Sequence, residues 1–191
     1  MRLACVLLLV LAVAPFASAG LITFSDLDPG LPFYQEAPMP PNYSTGLPPG
    51  VIGTWTNWYW KNPEIPDDHT VSTDDHMQAF LSDSSGAISF SQPVIVPELF
   101  VYKTDWGAVG DWTITGTLGG QPQWSKTITT ASAWISVQDG TGIAIDELSF
   151  PAPGLWNHVD DILVTLVPEV PEPAALGLLL AGGLAVLRRR K

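Results

Sequence analysis

Between residues 20 and 168 apolar side chains recur with a period of two, in short runs cut by Gly, Pro, Asn, Asp and Ser, and little in this stretch has a helical period. That rhythm commits the chain to β-strands. The clearest run is Trp112-Thr113-Ile114-Thr115-Gly116-Thr117-Leu118, with Trp112, Ile114 and Leu118 on one face and three threonines on the other. Such a strand buries one face and wets the other. Gly119-Gly120 follows as a two-residue hairpin turn, where positive φ costs no Cβ clash, and leads to a partner strand over Trp124 to Thr129. Pro122 limits the pairing next to the turn. Further strands are expected at Leu21 to Ser25, Val51 to Trp60, Met77 to Leu81, Ala87 to Ser91, Leu99 to Lys103, Ala133 to Val137, Ile143 to Phe150 and Ile162 to Val167. The expected fold is therefore all-β, a two-sheet β-sandwich of the jelly-roll kind, with an up-and-down barrel as the second choice. Pro29, Pro32, Pro38, Pro40, Pro41, Pro48 and Pro49 mark residues 29 to 50 as a long irregular connection over the surface.

Charge narrows the function classes. The chain has 191 residues, with 19 acidic and 8 basic side chains, enough for one domain of ordinary size plus targeting segments. Residues 20 to 168 hold only three lysines (Lys61, Lys103, Lys126) against 17 acids, a formal charge of −14. Nucleic acid is excluded as a partner, because phosphate neutralisation needs Lys and Arg. The remaining basic residues are Arg2 and Arg188, Arg189, Arg190 and Lys191. Positive charge at the ends alone is a membrane-targeting distribution.

Residues 1 to 19 read as a signal peptide: Arg2, an apolar run from Leu3 to Ala14, Pro15, and the small-x-small site Ala17-Ser18-Ala19. Cleavage before Gly20 and export by the Sec machinery follow. Cys5, the single cysteine, leaves with the signal, so the exported domain is expected to have no disulfide. At the other end Ala174 to Leu187 is apolar and uncharged. As a helix it would be about 21 Å long against a hydrocarbon core of about 30 Å, a marginal span of the inner membrane. The basic cluster at 188 to 191 then stays cytoplasmic and leaves the domain outside.

Before that apolar run stands Pro171-Glu172-Pro173. Tripeptide, short apolar helix and basic end, in this order over residues 169 to 191, resemble the PEP-CTERM sorting signal of Gram-negative bacteria. The resemblance implies recognition by an exosortase, a membrane cysteine protease-transpeptidase, with cleavage near the tripeptide and transfer to the cell surface or a biofilm matrix. Prolines keep such a site extended and open to a protease. Glu172 is then a recognition residue.

Within residues 20 to 168, Ile22-Thr23-Phe24-Ser25-Asp26-Leu27, Gly53-Thr54-Trp55-Thr56-Asn57-Trp58, Ile145-Asp146-Glu147-Leu148-Ser149-Phe150 and Val159-Asp160-Asp161-Ile162-Leu163-Val164 resemble strands of the β-sandwich ectodomains found among PEP-CTERM proteins. Those look like galactose-binding and carbohydrate-binding modules. The resemblance implies a sandwich and directs attention to glycans.

Two constellations stand out. Trp55, Trp58, Tyr59 and Trp60 crowd six positions; read as one strand, they put Trp58 and Trp60 on one face and Trp55 and Tyr59 on the other. An exposed pair would make a stacking platform for sugar rings, whereas rings that plug the end of the sandwich would be core. Trp106, Trp112, Trp124 and Trp134 are expected in the core, and Trp156 fits either place. The second constellation is Asp67-Asp68-His69 and Asp74-Asp75-His76, seven residues apart. Carboxylates in a loop suit Ca²⁺, His with Asp suits a transition metal, and a solvated acidic loop needs neither. The family resemblance implies a further calcium site joining Asp26 with Asp160 or Asp161.

No G-x-S-x-G, Ser-x-x-Lys or His-Glu-x-x-His pattern occurs. The expected function is thus a non-enzymatic surface or matrix protein, exported and sorted by its tail, that binds extracellular polysaccharide through exposed aromatics. A structural or adhesive protein whose acids bridge matrix polymers through divalent cations is the alternative, and a small secreted glycan hydrolase the third reading.

Overall fold

The computed structural model describes residues 18–24, 26–27, 36–61, 78–81, 85–103, 111–130, 133–151 and 157–168. Among them eleven strands form and no helix: β1 (Ala19–Ile22), β2 (Glu36–Pro38), β3 (Gly53–Thr56), β4 (Tyr59–Lys61), β5 (Gln78–Leu81), β6 (Gly86–Tyr102), β7 (Trp112–Leu118), β8 (Gln121–Ile128), β9 (Trp134–Val137), β10 (Ala144–Phe150) and β11 (Asn157–Leu166). All of them lie in one unit, Ser18–Val167. Every pairing is antiparallel. The fold is all-β, as the alternation predicts. No helix among the described residues is long and apolar enough to cross a membrane, and the signal peptide, the Pro-Glu-Pro motif and the apolar run from Ala174 to Leu187 lie outside those residues.

Two antiparallel sheets are joined by the 17-residue strand β6. Its first half pairs with β3 on one side and β10 on the other, extending the first sheet to β7 and β8. Its second half pairs with β11 and β9, extending the second sheet through β5 and β4 to β2, with β1 also on β11. Ser91, Gln92 and Pro93 are exposed in succession, so the in-out alternation breaks where the strand passes between sheets. Pro93 and Pro97 fall at positions with no ladder partner, where a missing N–H costs nothing. This single strand replaces the two separate ones expected at 87 to 91 and 99 to 103. The expected long connection over 29 to 50 contributes the short strand β2.

Both sheets bury their inner faces in one core, from Ile88, Phe90, Trp112, Ile114, Leu148 and Phe150 of the first to Leu99, Val101, Val159, Ile162 and Val164 of the second. The alternation of β7 puts Trp112, Ile114 and Gly116 inside and its threonines at the outer surface. Gly116 is glycine for a spatial reason: a Cβ there would overlap the Trp124 indole of the paired strand. β1, which contains the expected cleavage point between Ala19 and Gly20, pairs with β11, so the first and last strands of the unit are neighbours.

Candidate functional site

The aromatic cluster is part of the core, which corrects the expectation of an exposed stacking pair. Trp55, Trp58 and Trp60 are 5%, 3% and 7% exposed, and Tyr59 is half-buried. Asn57, in the left-handed region at φ 62°, separates β3 from β4. The turn shifts the alternation by one residue, so Trp55 and Trp58 face the same interior rather than opposite sides. Asn57 Nδ2 donates to Ser85 O at 2.8 Å and pins the turn.

From there the rings form a continuous series. Tyr43 stacks on Phe24 (5.7 Å), Phe24 meets Trp55 edge-on (5.5 Å), Trp55 meets Trp58 (5.6 Å), Trp58 meets Phe150 (4.9 Å), and Phe150 tilts against Trp112 (5.9 Å). Three indole N–H groups are satisfied by backbone carbonyls: Trp55 to Tyr43 O (2.8 Å), Trp58 to Ala87 O (3.1 Å) and Trp112 to Pro151 O (3.1 Å). Buried, edge-to-face and hydrogen-bonded rings are structural. They have no free face to offer a sugar. Trp124 is also core and Trp134 half-buried, with Trp134 beside Tyr102 at 5.5 Å; Trp106 and Trp156 lie outside the described residues.

Asp26 is exposed at a turn; one oxygen accepts the Tyr43 hydroxyl and the other the Thr45 hydroxyl at 2.6 Å. Each carboxylate oxygen thus has one hydroxyl donor. Asp160 and Asp161 are both buried within β11, which begins three residues before them. There the register against β6 shifts, Asp161 adopts φ 44°, and its N–H donates to Asp160 Oδ1 at 2.8 Å. Asp160 thus stabilises a bulge. Among the described residues no group of three or more His, Cys, Asp or Glu is arranged to hold a metal ion. Asp67, Asp68, Asp74 and Asp75 lie outside them.

What the sequence reading missed is the outer surface of the first sheet. Register places Thr54, Ser89, Glu147 and Thr117 in one row across β3, β6, β10 and β7, and Thr56, Ala87, Ser149, Thr115 and Ser125 in the next, which reaches β8. Thr113 and Thr127 follow, their hydroxyls 3.0 Å apart. The three threonines of β7 were the signal; the six hydroxyl-bearing partners from four other strands are contiguous only in the fold.

A scan of protein-family models finds no match, and a search of curated proteins finds none. A similar solved structure is found among four chains that match. Its title reads "X-ray structure of GH31 CBM32-2 bound to GalNAc"; the match covers 80% of this chain and 99% of that one, at 11% identity and a TM-score of 0.29.

Proposed function

We propose that this chain is a non-enzymatic surface or matrix protein: a jelly-roll sandwich exported from a Gram-negative bacterium, sorted by an exosortase, and associated with extracellular polysaccharide. The observation that carries the reading is the order of its parts. A signal-like segment precedes the β unit, and Pro171-Glu172-Pro173, the apolar run Ala174 to Leu187 and the basic run 188 to 191 follow it. Supporting it, the last strand ends at Leu166, leaving four residues before Pro171. A stretch of that length spans at most about 17 Å from Leu166 to Pro171, so a membrane enzyme that cut at the tripeptide would do so beside the folded domain. The β-sandwich is the cargo and the tail the address.

Fractionation of cells expressing the wild type and a Pro171→Ala, Glu172→Ala, Pro173→Ala variant tests this. The wild type reaches the surface or medium, while the variant stays in the inner membrane with its tail attached. Equal release of both, in an exosortase-containing host, overturns the sorting reading.

A further inference from the structure

We infer that the outer face of the sheet β3-β6-β10-β7-β8 is the polysaccharide-contacting surface, and that its ligand is an uncharged polysaccharide. This rests on the proposed polysaccharide association and names the surface and ligand class for it.

The face is made of six threonines (Thr54, Thr56, Thr113, Thr115, Thr117, Thr127) and three serines (Ser89, Ser125, Ser149), with Ala87 and Pro122, the partner of Thr117, as the apolar members of the rows. Its one charge in these rows is Glu147, whose carboxylate accepts the Ser89 hydroxyl at 3.0 Å. Lys126 lies on the opposite side of β8, across from buried Ile114, and pairs with Asp139 at 3.2 Å. Five strands about 4.8 Å apart make the face roughly 19 Å wide, with alternate side chains along each strand about 6.8 Å apart.

That composition selects the partner. A surface in a domain of charge −14 that presents no cation repels polyanions, and one with almost no apolar area offers little to a lipid or a hydrophobic protein patch. Each hydroxyl donates once and accepts twice and rotates to suit its partner. A plate of them matches a polymer that itself presents hydroxyls of both kinds. Covering neutral hydroxyls also costs far less than covering ions, so a neutral chain can lie directly on this face.

The test uses the full chain, purified in detergent, in retention assays on microcrystalline cellulose and cross-linked dextran, with alginate beads as the anionic matrix. Thr115→Glu and Thr56→Glu each place an ion on the face, Thr115→Ser keeps the hydroxyl, and thermal unfolding reports the fold of each. Thr56 is solvent-exposed on β3, whose one ladder partner among the described strands is β6, which makes its variant the safer one for folding. The expected result is retention of the wild type and Thr115→Ser on a neutral matrix, little on alginate, and about tenfold weaker retention of the two Glu variants. Neutral-matrix binding unchanged in folded Thr56→Glu and Thr115→Glu overturns this face as the site while leaving polysaccharide association standing. Wild type that prefers alginate overturns the ligand class. Retention on none of the three matrices overturns the polysaccharide reading itself.

Discussion

Trp55 and Trp58 meet edge to face, with ring centroids 5.6 Å apart and planes at 82°. A continuous strand would send residues three apart to opposite faces. The left-handed turn at Asn57 is what brings both indoles into one interior, and it converts a sugar-platform motif into a structural one.

Truncating the series should therefore unfold the domain rather than spare it. Trp58→Ala removes a ring 3% exposed that touches both Trp55 and Phe150, and a loss of about 3–5 kcal/mol is expected from such a deletion. Chemical denaturation gives the value. A variant as stable as the wild type would show that the rings are not packed as described.

At Asn57 the backbone, not the ring contacts, sets the requirement. Asn57→Gly keeps φ 62° accessible and loses the bond to Ser85 O, for an expected cost of about 1 kcal/mol. Asn57→Val adds the left-handed penalty of a β-branched residue and should cost at least about 1–2 kcal/mol more. The reverse order of the two thermal midpoints would contradict the turn.

Gly116 tests the other half of the core. Its missing Cβ makes room for the Trp124 indole, with Ile145 Cγ2 2.9 Å from where that Cβ would stand. Gly116→Ala must displace the indole, and overpacking of this kind costs about 1–3 kcal/mol. Near-ultraviolet circular dichroism should change along with stability, since the tryptophan environment moves.

A small pH effect is expected at Glu98. Hydrogen bonds from Ser136 (2.6 Å) and then Gln138 (2.8 Å) favour the carboxylate and hold its pKa below the ordinary 4.5, against a lesser opposing effect of burial. A lowered folded pKa contributes stability that is present above the unfolded value and is lost as pH falls through the folded one. The stability gap between wild type and Glu98→Gln should accordingly be constant above about pH 6 and close below 4.5. A gap that widens in acid would reverse the assignment.

The hairpin of β7 and β8 was legible because alternation and Gly119-Gly120 agree, but β8 starts at Gln121 rather than Trp124 and pairs through Pro122, with a register shift taking up the irregularity. β6 was not, since Pro93 and Pro97 read as breakers; they are tolerated because both fall among the positions of this shared strand that have no ladder partner. β11 begins at Asn157 rather than Ile162, so Asp160 and Asp161, expected at the start of the last strand, form a buried bulge inside it. The tryptophans misled for a different reason: their parity depended on one residue with positive φ, which periodicity does not register. The hydroxyl face was only partly visible, as β7 alone shows its threonines and register supplies the others.

On the proposed function, the β unit is cargo delivered by its two ends. Intact-mass analysis of the protein released at the cell surface tests it most directly. The expected product is a polypeptide that begins at Gly20 and lacks residues 174–191, including Arg188, Arg189, Arg190 and Lys191. A surface form whose mass still includes that basic run would contradict it.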